Sequence, residues 1–122
     1  MESNQFDALV AESRRRQDAL LTTKGADYTR RDPDRLANFK RAVGEVGVTT
    51  LQAWAIYAAK HWDAVMAFIK TGKTESEPIL GRLDDLHNYL YLLEGIITEQ
   101  NASARLKLPK NVGVLEKLGL VT

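Results

Sequence analysis

Apolar residues recur along this chain at alternating intervals of three and four, the period of an α-helix that buries one face. In the first stretch they fall at Phe6, Leu9, Val10, Ala19, Leu20 and Leu21, with Arg14, Arg15 and Arg16 between them. This pattern predicts a helix that stops near Lys24 and Gly25. A shorter second helix carries Leu36, Phe39 and Val43 and stops between Gly44 and Gly47. The third is long, with Leu51, Trp54, Ala58, Trp62, Val65 and Ile69 as its expected core stripe, and Gly72 ends it. The fourth repeats the pattern at Ile79, Leu83, Leu86, Leu90, Leu93 and Ile97 and fades through Glu99, Gln100 and Asn101.

The start signals agree with these elements. Asp32-Pro33-Asp34 is expected to open the second helix, with Asp32 as cap and Pro33 in the first helical position, where a missing N–H costs nothing. Thr49 with Gln52, and Thr74 with Glu77, have the form of capping boxes, with Pro78 tolerated in the first turn. No β alternation, internal repeat or low-complexity stretch interrupts the pattern. The expected fold is therefore all-α, an antiparallel bundle of about four helices over residues 1–105. An irregular C-terminal arm, 106–122, follows with Pro109, Gly113 and Gly119.

Composition narrows the class. A chain of 122 residues, 44% hydrophobic, suits one domain. Lys and Arg number 17 against 16 Asp and Glu, a net charge of +1, which argues against a nucleic-acid partner. Without cysteine, disulfides, thiolate chemistry and Cys-based zinc sites are excluded, and His61 and His87 alone do not make a structural zinc site. The N-terminal residues lack a signal-peptide pattern, and no apolar run reaches the ~20 residues of a membrane helix, so a cytoplasmic protein with no membrane partner is expected. The Trp/Leu stripes and the flanking Tyr57, Tyr89 and Tyr91 exceed what a bundle of this size hides, so a homo-oligomer through the two long helices is expected.

Three polar clusters stand out. The segment Lys24-Gly25-Ala26-Asp27-Tyr28-Thr29-Arg30-Arg31 combines a carboxylate, a ring and three cations, suited to gripping phosphate and stacking on a base, or simply to a solvated turn. Lys60-His61-Trp62-Asp63 sets Lys60 and Asp63 three apart, an ordinary surface pair, and His61 on a mostly apolar stripe. A histidine there is more often a hydrogen-bonded core residue than a ligand. In Arg82-Leu83-Asp84-Asp85-Leu86-His87-Asn88-Tyr89, two acids and an amide share helix faces although Asp and Asn are poor helix-interior residues. Such oxygen donors suit a hard cation such as Mg²⁺, or else face water and pair with Arg82 or His87. Phosphate loops rich in glycine, nucleophile elbows and His-Glu-x-x-His are all missing.

In this order, the Lys24-Gly25-Ala26-Asp27-Tyr28 loop, the Asn38-Phe39 pair, Lys60-His61-Trp62-Asp63, and Glu77 followed eight residues later by Asp85-Leu86-His87-Asn88-Tyr89 resemble a known family. They look like the short phage-type, nucleotide-modification-associated relatives of the MazG-like all-α nucleotide pyrophosphohydrolases, over about Lys24 to Glu94. The resemblance implies Mg²⁺-dependent cleavage of a (d)NTP to monophosphate and pyrophosphate in a host cytosol. Asp85, Glu77 and Asp84 would be metal ligands, and Asp85, Asp63 and Glu77 would be catalytic. Lys24, Asp27, Tyr28, Arg30, Lys60, His61, Asn88 and Tyr89 would hold the substrate.

The departures open alternatives. The family brings Glu-x-x-Glu and Glu-x-x-Asp pairs to adjacent helices, whereas the third helix here offers only Asp63 beside Lys60 and His61, and Gly81 replaces a further acid. Cations suit bare phosphate and repel metal, so a phage protein that binds or sequesters a nucleotide or nucleotide-derived signal without hydrolysis is the second reading. A structural or interaction bundle is the third.

Overall fold

The computed structural model describes the backbone of residues 1–28, 32–74 and 76–105, and their side chains apart from 24–28 and 103–105. Among the described residues there are four helices and no strand: α1 (Ser3–Tyr28), α2 (Ala37–Val46), α3 (Thr50–Thr71) and α4 (Ile79–Arg105). The C-terminal arm lies outside the described residues. The fold is all-α, and no described helix is long and apolar enough to cross a membrane.

The termini show which local signals held. Thr49 accepts from the Gln52 N–H at 3.0 Å while Gln52 Oε1 accepts from the Thr49 N–H at 2.9 Å, the reciprocal pair expected of a capping box. Gly47 and Gly72 end α2 and α3 with φ of 79° and 73°, a conformation that side-chain-bearing residues adopt only with strain.

Other signals misplaced the boundaries. Helix α1 does not stop at Lys24 and Gly25 but runs on to Tyr28, since a glycine inside a helix costs only about 1 kcal/mol. Pro33 is not the first residue of α2. Asp32 accepts from the Asp34 N–H and Asp34 from the Leu36 N–H, two successive Asx turns that delay the helix to Ala37. Thr74 does not cap α4, which begins at Ile79 with the Pro78 carbonyl accepting from the Gly81 and Arg82 N–H groups.

The core gathers Leu36, Phe39, Ala53 and Ile96, with Trp54, Tyr89 and Leu92 against it. Phe39 meets Tyr57 and Tyr89 edge-on, and Trp54 Nε1 donates to the Tyr89 carbonyl at 2.7 Å. Lys40 reaches both Asp34 and Glu99, tying α2 to α4. Helices α3 and α4 run antiparallel, for Trp54 lies against Tyr89 while His61, farther along α3, lies against the earlier Asp85.

The buried faces match the expected stripes only in part. Trp62, expected in the core, is 57% exposed, and Leu51 and Ile69 are exposed with it. Of the expected α3 stripe, Ala58 and Val65 are buried and Trp54 packs against the core, and Ala53 and His61 join them on the inward face. On α4 the stripe at Leu83, Leu90 and Ile97 is exposed, while Asp84, Asp85, Asn88, Ile96 and Ala102 are buried. Helix α4 has thus turned its polar residues inward and half of its leucines outward.

Candidate ligand site

The inward face of α4 carries two polar groups, one toward α1 and one toward α3. On the α1 side, Arg16 grips Asp84 with both prongs of its guanidinium: Nε donates to Oδ2 at 2.9 Å and Nη2 to Oδ1 at 3.3 Å. Gln17 Nε2 donates to Asp84 Oδ1 at 3.2 Å and to Ser13 Oγ at 2.7 Å. Asn88 Nδ2 donates to the Gln17 carbonyl at 3.3 Å. Asp84 is only 4% exposed, so its charge is sustained by these donors rather than by water. This is the arrangement of an internal strut, and it occupies the carboxylate.

On the α3 side, His61 Nδ1 lies 3.6 Å from Asp85 Oδ2 and 3.2 Å from Arg82 Nη1. The imidazole also packs on the Tyr89 ring, centroids 5.1 Å apart. Arg82 Nη2 donates to Ser76 Oγ at 3.0 Å, and Arg82 Nε stands 3.8 Å from Glu77 Oε2. Ser76 and Glu77 are exposed, so this group reaches solvent at the turn before α4.

Burial, opposed by the Asp85 charge and reinforced by the Arg82 and Lys60 cations, holds the His61 pKa below its ordinary 6.5. The ring is therefore neutral at pH 7. As the neutral form it accepts the Arg82 N–H at Nδ1 and carries its own proton on Nε2.

Two buried polar atoms lack a hydrogen-bond partner among the described residues: Arg82 Nε and Asn88 Oδ1. Buried donors and acceptors are almost always satisfied by protein or ordered water, and for Arg82 Nε the nearby acceptor is Glu77 Oε2, at 3.8 Å too long for a hydrogen bond.

The structure therefore brings His61, Asp85 and Tyr89 together, with Glu77 at the rim beside Arg82. It buries Asn88 and Asp84 on the α1 side of the same helix. It does not bring in Lys60 or Asp63, both of which are exposed. The side chains of Lys24, Asp27 and Tyr28, and Arg30 entirely, lie outside the described residues. Sequence reading missed Arg16 and Gln17 and gave Arg82 only a pairing role. A face drawn through Val10, Ser13, Gln17 and Leu20 at helical spacing is the signal that singles out Gln17.

The expected Mg²⁺ ligands do not fit together here. Asp84 turns to α1, Asp85 to α3, and Glu77 sits at the exposed rim. Among the described residues no group of three or more His, Cys, Asp or Glu is arranged to hold a metal ion.

No family model, curated protein or solved structure matches this chain. The site's chemistry therefore stands on its own residues.

Proposed function

We propose that this all-α protein binds a phosphate-bearing nucleotide at the rim where α3 meets the start of α4. Arg82 receives the phosphate, Tyr89 and His61 form the adjoining wall, and turnover is not its task. What carries this reading is Arg82, a guanidinium positioned by His61 and Ser76 whose buried Nε has no hydrogen-bond partner among the described residues. This planar cation stands in the first turn of α4, where the helix end is positive, and the exposed Glu77 carboxylate 3.8 Å from its Nε is the charge that a bound anion would displace. The ordered motifs that resemble those of the MazG-like nucleotide enzymes favour the same ligand class.

Binding stands ahead of hydrolysis because the carboxylates are dispersed or already engaged. The homo-oligomer belongs to the same reading, since both long helices keep large apolar side chains exposed. Calorimetric titration with the common (d)NTPs in chelator tests it, with binding expected without added metal. Heat only with Mg²⁺, or pyrophosphate release in Mg²⁺, places the protein with the hydrolases instead. No heat in either condition rejects both.

A further inference from the structure

The most conspicuous unexplained feature is the outer face of α4. Ile79, Leu83, Leu86, Leu90, Leu93 and Ile97 follow one another at spacings of four, three, four, three and four, the interval of a coiled-coil seam. Yet the monomer's core lies on the opposite side of the helix, at Asp84, Asp85, Asn88 and Ile96. Leu83, Leu90 and Ile97, one residue per heptad, are 37%, 54% and 42% exposed. Ile79, Leu86 and Leu93 are half-buried, so the chain leaves this apolar face partly open, as a helix packed from both sides would be.

The seam also says what covers it. It reads the same from either end, about a midpoint at Asn88: Leu86 with Leu90, Leu83 with Leu93 and Ile79 with Ile97 are equidistant from that point and identical in type. A second copy of α4 laid antiparallel across a two-fold axis therefore meets each side chain with its own kind at every level. This is the self-complementarity that an isologous interface requires. Antiparallel pairing also opposes the two helix dipoles, which a parallel pair would align. The seam spans 19 residues, Ile79 to Ile97, roughly 27 Å of helix.

We infer that the protein is a two-fold homodimer in which the α4 helices pack antiparallel through this seam, centred on Asn88. This refines the assembly named above and does not depend on the nucleotide. The occupant is a second copy of the chain.

Sedimentation of the full chain over a range of micromolar concentrations tests it. A reversible species at twice the 13.7 kDa mass of one chain is expected. Leu90→Lys, at an exposed position, should weaken it by about 30-fold or more while helical circular dichroism is kept. Because the chain has no cysteine, cross-linking is free of background. Leu83→Cys alone stays uncross-linked, since the two copies of residue 83 stand ten residues apart, roughly 15 Å along the seam. The double variant Leu83→Cys with Leu93→Cys forms a disulfide dimer. A monomer at every concentration, a Leu83→Cys disulfide of its own, or a double variant that never cross-links overturns the proposal.

Discussion

His61 Nδ1 lies 3.6 Å from Asp85 Oδ2 across the α3–α4 interface, inside hydrogen-bond reach of Arg82 and against the Tyr89 ring. One neutral base, one acid and one cation are thus held within a single contact network. The network explains why α4 tolerates residues that disfavour helix interiors: each has its partner on another helix.

The Arg16–Asp84 pair gives an asymmetric stability prediction. Removing Arg16 strands a carboxylate that is nearly fully buried, leaving it, among the described residues, the Gln17 amide. Arg16→Ala should therefore destabilise the fold more than Asp84→Asn. Asp84→Asn keeps an acceptor and frees a cation that is one-third exposed, and should cost about 1 kcal/mol. Urea unfolding of both variants checks the order, and equal losses would show that Asp84 is not sustained by Arg16.

Acid should weaken the fold through His61. Its folded pKa lies below the 6.5 of the unfolded chain, because burial and the neighbouring cations disfavour the charged ring. Below about pH 6.5 the unfolded state takes up a proton that the native state refuses, so stability falls as pH falls, until the folded ring protonates as well. His61→Gln keeps an acceptor for Arg82 and should flatten the slope of unfolding free energy between pH 7.5 and 5.5. An unchanged slope contradicts this.

Which face of each helix is buried can be read from two truncations. Ile96 is the largest fully buried side chain, and Ile96→Ala should cost about 2–5 kcal/mol. Trp62→Ala, despite removing the larger side chain, should stay within about 0.5 kcal/mol in dilute solution, because Trp62 faces outward. The reverse order would restore the sequence-based stripe.

Gly95 offers a gain. It lies inside α4, and a Cβ there would meet Leu36 Cδ2 at 3.6 Å, an ordinary contact. Gly95→Ala should raise stability by about 0.5–1 kcal/mol through lower chain entropy and higher helix propensity. A lower unfolding midpoint would show that the Leu36 contact is tighter than it looks.

The helices themselves were legible because their signals are local. Thr49 and Gln52 sit three residues apart, and Gly47 and Gly72 each end a helix through their own backbone. The orientation of the helices was not legible. Asp84 and Asn88 are buried by Arg16 and Gln17, partners 67 to 71 residues away in the chain, and no local period encodes such pairing. The apolar stripes of α3 and α4 misled for a related reason: a helix that serves two interfaces is apolar on more than the face its own chain covers. At the candidate site, the apolar setting of His61 correctly suggested a buried, hydrogen-bonded ring. Lys60 and Asp63, one and two residues from it, were grouped with it by proximity in sequence, yet a helix turns neighbours about 100° apart.

The most direct test of the proposed ligand site uses the chain's two histidines, since only His61 and His87 contribute imidazole signals to an NMR spectrum. His61 is buried in the network, and His87, exposed on the other side of the helix, is an internal control. Adding a nucleoside triphosphate in the presence of chelator should move the His61 resonances and raise its pKa, as an anion bound to Arg82 must, while His87 stays in place. If neither signal moves, or both move alike, the Arg82–His61 rim is not where a nucleotide binds.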